Sequence, residues 1–190
     1  MQEDSEIIQK RIRELREEQV RRLTKERYRY YEPTGKGEEF IDAFACGDNF
    51  IILYSAANGV GKTATGTNIL AHLFYNTGEN GYFNGKLFKE WPFLKRGRIV
   101  STPTNIEKNI IPELKHWFPE GRYTTRKGNK SFESLWETDT GWNFDLMTYE
   151  QDPMEFEGIT LGWAWFDEPP TEAILKATIA RMRKGGIIII

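Results

Sequence analysis

The sequence predicts an α/β protein with a mainly parallel central sheet flanked by helices, and three observations carry that expectation. An apolar run over residues 50–54 opens into a loop of small residues and then into a helical pattern. A second run, 98–101, is followed by a helical pattern over 105–118. A third, 159–166, is followed by another over 171–183. Continuous apolar runs alternating with helices belong to strands buried on both faces and joined by crossovers.

Length and composition set the frame. With 190 residues the chain is long enough for one substantial α/β domain with its own core. A formal net charge of −2 makes no global demand for nucleic acid as a partner. Basic side chains do gather locally, at Lys86, Lys89, Lys95, Arg96 and Arg98 and again at Arg122, Arg126, Lys127 and Lys130, and each cluster reads as a solvated loop. The single cysteine, Cys46, excludes an internal disulfide framework and fits a reducing compartment. His72 and His116 are too few for a histidine-rich metal site, and His72 reads as packed or solvated, not catalytic. There is no signal peptide and no apolar run long enough to span a bilayer, so no membrane partner is expected.

Residues 1–30 form a first unit, a charged helix in which Glu and Arg or Lys recur three and four apart. Its thin apolar stripe, Ile8, Ile12, Leu15, Val20 and Leu23, is expected to pack on a neighbour or on the domain edge. Heptads do not persist, which disfavours a long coiled coil. Residues 31–190 form the second unit, entered through Tyr30-Tyr31-Glu32-Pro33-Thr34-Gly35-Lys36 and a short helix over 38–44 with Phe40, Ile41 and Phe44 on its apolar side. Tyr31 and Pro33, just before the first strand, fit a shelf for an adenine base and fit an aromatic packing corner equally well.

The stretch FIILYSAANGVGKT carries the chemistry. Ala56-Ala57-Asn58-Gly59-Val60-Gly61-Lys62-Thr63 matches the phosphate-binding P-loop G-x-x-x-x-G-K-[ST], except that Ala56 stands for the first glycine. A methyl group is accommodated there when the local φ is negative. Backbone N–H groups of this loop and of the helix that opens at Ala64 would converge on phosphate oxygens. Lys62 would reach the β- and γ-phosphates of ATP, and the Thr63 hydroxyl would ligate Mg²⁺. The helix that follows carries Ile69, Leu70, Leu73 and Phe74, and 76–92 reads as a long irregular excursion rich in Gly and Asn.

The second strand ends at Thr102-Pro103-Thr104, and the helix over 105–118 has Ile106, Ile110, Ile111, Leu114 and Trp117 as its buried stripe. Residues 131–138 and 142–148 alternate across Asp139-Thr140-Gly141 and predict an inserted β-hairpin, followed by a short helical or looped piece ending at Gly158. The third run, ITLGWAWF, delivers Asp167 and Glu168 at its C-terminal end, as a Walker B element does. Asp167 would hold the Mg²⁺ shell, while Glu168 would orient and deprotonate the attacking water. Ligand sites in open α/β sheets lie at the carboxyl ends of strands, so these carboxylates and the P-loop are expected at one edge. Gly185-Gly186 caps the last helix, and four isoleucines start a strand with no loop after it, so the sequence is expected to be truncated at its C-terminal end.

As an ordered set over residues 30–190, these motifs resemble the ATPase domain of the large terminase subunit of tailed bacteriophages, the motor that packages DNA into preformed capsids. The lead-in from Tyr31 to Phe40, the loop AANGVGKT, the segment TYEQDPMEFEG, WFDEPP and the closing ATIARMRKGGIIII carry the resemblance. It implies an ASCE-type P-loop NTPase with ATP and Mg²⁺ as cofactors, acting as a homo-oligomeric ring on double-stranded DNA. It also implies the portal protein and the small terminase subunit as partners, the host cytoplasm at the capsid portal as the place of action, and a nuclease domain downstream. Three positions depart from the family: Gly37 stands where a glutamine often reads adenine, Asn58-Gly59-Val60 lacks the arginine common in the loop, and the coupling motif would lie beyond Ile190. Arg181 and Arg183 are the available candidates for a catalytic arginine. Two other classes stay open, another P-loop ATPase such as a helicase or helicase loader, and a nucleotide-binding assembly factor that does not turn over. A small-molecule kinase is disfavoured, because the Asp-Glu pair suits activation of water.

Overall fold

Apolar runs become strands where both of their faces find a helix to pack on, and β6 (Trp163–Phe166) is the clearest case. Trp163 and Trp165 enter one core, and Ala164 and Phe166 enter the other. The first core is closed by α2 (Gly35–Ala45), α3 (Lys62–Tyr75) and α6 (Ile111–Trp117). The second is closed by α7 (Glu172–Ile179) and a 3-10 turn, Pro153–Glu157, which supplies Phe156. The computed structural model describes residues 2–57, 59–75 and 83–190, in backbone only at 2–6 and 21–23.

The remaining strands are β1 (Ile51–Ile52), β2 (Arg96–Ser101), β3 (Tyr123–Arg126), β4 (Leu135–Thr138), β5 (Asn143–Thr148) and β7 (Ile187–Ile189). They form a seven-stranded sheet in the order β1-β7-β6-β2-β5-β4-β3. The first five strands of that order are parallel, β4 pairs antiparallel with β5, and β3 pairs antiparallel with β4. The predicted hairpin is present as β4 and β5, turning at Gly141 with φ 83°. It is not a mere insertion, because β5 also pairs along its length with β2. β3 has an alternating half-buried pattern too weak to announce itself in the sequence.

Glycines set how closely the layers approach. A Cβ at Gly97 would fall 1.9 Å from the Trp163 ring, and one at Gly66 would fall 2.9 Å from Trp165. Gly66 therefore lets α3 lie directly against β6, which brings the start of α3 to the strand that ends in Asp167. Between β2 and α6 the helix begins as α5 (Pro103–Asn105), capped by the Thr102 side chain, and passes through a π-helical segment, Ile106–Ile110. Ile106 and Ile110 stay fully buried across that wider turn.

Several expectations need correction. The strand before the loop is short, and Phe50, Ile51 and Leu53 are 42 %, 43 % and 68 % exposed, so it is not covered on both faces. It is the edge strand of the described sheet, paired with β7 alone. Arg98 is not in a solvated loop: it is 2 % exposed inside β2 and makes a bidentate pair with Asp145 on β5, with Nε and Nη2 each at 2.8 Å. Burying it is possible because the neighbouring strand supplies the counter-charge and Phe156 supplies a carbonyl at 3.1 Å. Lys130 is likewise half-buried, donating to the Leu146 carbonyl at 3.0 Å. The excursion over 76–92 contains a short helix, α4 (Lys86–Lys89), with Leu87 and Phe88 buried; residues 76–82 lie outside the described part.

The N-terminal helix α1 (Gln2–Lys25) is present, but its stripe does not pack on the domain. Ile8, Ile12, Leu15 and Val20 are 57 %, 37 %, 54 % and 60 % exposed, and the side chain of Leu23 lies outside the described part. His72 is packed: burial pushes its imidazole down to about 4, and in the neutral form Nε2–H donates to the Tyr28 carbonyl at 3.0 Å. Among the described residues no helix is long and apolar enough to cross a membrane.

Candidate functional site

The parallel strands all end at one edge, and there the segments after β1, β2 and β6 line a cavity of about 690 Å³. Ala56, Gly59, Gly61, Lys62, Thr63 and Ala64 form one wall, and Asp167 and Glu168 form the facing one. A third wall comes from the helical segment after β2 through Asn105, Lys108, Asn109, Pro112 and Glu113. The expected convergence of loop and carboxylates is therefore present. Ala57 and Val60 belong to the same loop without lining the cavity, and Asn58 lies outside the described residues.

The loop turns on Gly59 and Gly61, at φ 81° and 83°, a left-handed backbone that glycine adopts without cost. No described non-glycine residue has a positive φ, so Ala56 has the backbone its methyl group requires. Lys62 Nζ donates to the Ala56 carbonyl at 2.6 Å and to the Ala57 carbonyl at 3.4 Å, holding the ammonium over the concave side of the loop. Thr65 Oγ1 donates to the Gly61 carbonyl at 2.9 Å and so accepts from Tyr31 Oη at 2.6 Å. That bond ties the lead-in to the first turn of α3.

Asp167 is half-buried at the end of β6, its backbone N–H still in the ladder with the Val100 carbonyl at 3.0 Å. Its carboxylate accepts from Asn105 Nδ2, which also donates to Ser101 Oγ at 2.8 Å. Asn109 Nδ2 donates to Asn105 Oδ1 at 2.6 Å and thereby orients the Asn105 amide with its N–H toward Asp167. Burial pushes the Asp167 carboxyl above the ordinary aspartate range; the Asn105 bond, Lys62 and the Thr63 hydroxyl oppose the rise, and the Glu168 charge adds to it. Glu168 is exposed to the cavity, and its backbone meets the Tyr149 hydroxyl: its N–H donates to Tyr149 Oη at 3.2 Å, and the phenol donates to its carbonyl.

A divalent cation fits this donor set. Asp167 and the Thr63 hydroxyl face one another closely enough for the hydroxyl to influence the carboxylate. Among the described residues there is no group of three or more His, Cys, Asp or Glu side chains that would make an all-protein cage. One carboxylate and one hydroxyl are what Mg²⁺ takes when waters and phosphate oxygens complete its octahedron.

Two pairs of expected residues lie elsewhere. Tyr31 and Pro33 do not line the cavity; Tyr31 packs edge-on against Trp117 at 5.2 Å and Phe83 at 6.4 Å, the packing-corner alternative. The aromatic wall is made instead by Phe40 and Tyr54, stacked at 4.5 Å. Arg181 and Arg183 lie at the opposite edge of the sheet, because α7 is a crossover that returns the chain to the N-terminal ends of the strands. The Arg181 carbonyl accepts from Leu161 N–H at 3.0 Å there, and its guanidinium pairs with Glu157 at 3.7 Å. Arg183 Nε donates to the Ala180 carbonyl at 3.4 Å. Among the described residues lining the cavity, Lys62 and Lys108 are the cations.

Asn105, Lys108, Asn109 and Glu113 escaped the sequence reading, and Tyr149 entered it only within the segment TYEQDPMEFEG, with no role of its own. For the first four a signal existed: polar residues three and four apart, opposite the apolar stripe of a helix that starts at a strand's carboxyl end. Tyr149 had a weaker one, as the first residue after β5 at the same edge.

No family model matches this sequence, and no curated protein matches it either. Among solved structures, a large terminase from a thermophilic bacteriophage, determined in complex with ADP, superposes with a TM-score of 0.58 at 16 % identity. The match covers 83 % of this chain, and this chain spans 38 % of that one. At that identity the likeness shows the fold alone: a terminase-like mixed α/β architecture.

Proposed function

We propose that this chain is the ATP-hydrolysing motor unit of a DNA-packaging terminase, of the ASCE type. The observation that carries the reading is the single cavity uniting Lys62, Thr63, Asp167 and Glu168 at the carboxyl edge of the sheet. The strand order supports the ASCE assignment, because β7 lies between the loop strand β1 and the Asp-Glu strand β6. The terminase-like fold supports the packaging role, and the ADP of the solved terminase supports a nucleotide as ligand.

In this reading Lys62 exchanges the Ala56 and Ala57 carbonyls for β- and γ-phosphate oxygens, while backbone N–H groups at the start of α3 bind the same phosphates. The base end of the nucleotide meets the Phe40–Tyr54 wall. Thr63 and Asp167 hold Mg²⁺, which when bound neutralises charge on the phosphate oxygens. Glu168 accepts the proton of the attacking water. Double-stranded DNA, the portal protein and the small terminase subunit are the proposed partners, with the motor working as a homo-oligomeric ring at the capsid portal in the host cytoplasm.

Asp167→Asn keeps the shape of the side chain but removes the anion that faces Thr63. Mg²⁺–ATP is expected to bind at least about 10-fold more weakly, while binding of metal-free ATP changes little. Titration with and without Mg²⁺ checks this, and equal Mg²⁺–ATP affinity in both proteins would refute a metal role for Asp167.

No arginine lines the described cavity, although the transition state of phosphoryl transfer is commonly met by one worth about 10³–10⁵ in rate. Slow hydrolysis by the dilute chain is therefore expected, rising with protein concentration and with DNA as a neighbouring subunit supplies the cation. Specific activity against concentration is the test. Fast turnover independent of concentration, and untouched by Arg181→Ala and Arg183→Ala, would overturn the shared-arginine reading. No hydrolysis at any concentration, with or without DNA, would overturn the motor reading itself.

A further inference from the structure

We propose that Tyr149 is a positioning residue that clamps the backbone of Glu168 and so sets the direction of its carboxylate into the cavity. The inference rests on the reading of Glu168 as the base. It starts from where the sheet stops holding the chain. Asp167 still donates to the ladder through its N–H, at 3.0 Å from the Val100 carbonyl. One residue later the ladder is gone, and the chain runs on into Pro169 and Pro170, which have no N–H to fix it. Glu168 sits at that release point, and among the described residues the only partner of its backbone N–H and carbonyl is one phenol.

That phenol uses both of its hydrogen-bonding functions on the one residue. Tyr149 Oη accepts from Glu168 N–H at 3.2 Å, and its own proton goes to the Glu168 carbonyl. Holding both peptide groups that flank a Cα fixes the Cα–Cβ direction, because φ and ψ are then no longer free. The clamp is itself anchored. Tyr149 N–H continues the β2 ladder to the Ser101 carbonyl at 3.3 Å, and the ring packs on the core beneath α7. The turn behind it is tied by Gln151, whose Oε1 accepts from Thr148 N–H at 2.9 Å. Burial and the nearby Asp167 and Glu168 charges push the phenol up, although the Glu168 N–H donated to its oxygen opposes this, so it stays a donor throughout the working pH range.

Direction matters at this residue because a base must meet its water within hydrogen-bond reach, and misplacement by ~1 Å costs up to ~10²-fold in rate. Tyr149→Phe keeps the ring and removes only the hydroxyl. In the full chain it is expected to lower kcat about 10-fold while KM for Mg²⁺–ATP stays within about 2-fold. Amide hydrogen exchange at Glu168 is expected to accelerate at least about 10-fold, with Asp167 unchanged as the internal reference. Added to Glu168→Gln, the substitution is expected to cause no further loss, since there is no base left to aim.

Unchanged exchange at Glu168, or unchanged kcat beside a fully active wild type, would overturn the proposal. So would equal acceleration at Glu168 and Asp167, or a full extra loss in the Glu168→Gln background, because either would mean general loosening. Absence of turnover in the wild-type chain would instead defeat the hydrolytic reading, and exchange at Glu168 would still decide the clamp.

Discussion

Replacing Lys62 by alanine is expected to weaken ATP binding by about 10²-fold or more. The ammonium is held by the Ala56 and Ala57 carbonyls at 2.6 and 3.4 Å, over the loop where phosphate would sit. Charge-assisted hydrogen bonds contribute roughly 1.5–3 kcal/mol each, so the loss of two phosphate contacts corresponds to about 10²–10⁴ in affinity. The other cation lining the cavity, Lys108, projects from the helix after β2 and not from the loop, so it does not replace Lys62 in the cradle. Folding should change little, because the bonds that Lys62 makes now end on carbonyls at the protein surface. Equilibrium binding of ATP, with a thermal melt as control, checks both halves. Unchanged affinity would refute the phosphate-loop assignment.

The second large effect is expected from Glu168→Gln. The amide keeps the shape of the side chain and the backbone contacts to Tyr149, and loses only the ability to take a proton. Turnover should fall by about 10²-fold or more, the range a positioned base contributes, while nucleotide affinity stays near that of the parent. The contrast with Asp167→Asn is diagnostic, since that change strikes Mg²⁺-dependent binding first. Single-turnover hydrolysis beside equilibrium binding separates them, and near-parental turnover in Glu168→Gln would mean that another group accepts the proton.

What the sequence determined by itself is local. The shape of the loop proposed to bind phosphate was legible because a P-loop pattern needs glycines at positive φ, met at Gly59 and Gly61, and a Lys-Thr pair where a helix begins. Ala56 could be admitted on the same local ground, and the backbone there proved compatible. β6 was legible because a strand buried on both faces has no polar position to interrupt it. The hairpin over β4 and β5 followed from alternation about a glycine turn.

Tertiary structure alone decided what depends on which strand lies beside which. Strand order left β1 at the edge, so a run that reads as fully buried is half exposed. Register placed Asp145 beside Arg98, turning an apparent surface cation into a buried one. The direction of α7 carried Arg181 and Arg183 away from the edge they were expected to serve. The partners of the two carboxylate residues arrived the same way: Asn105 reaches Asp167 across 62 positions, and Tyr149 reaches Glu168 across 19. A hydrogen bond over such separations leaves no periodicity in the chain, because it is set by the pairing of β2 with β6 and of β2 with β5, and not by the residues between.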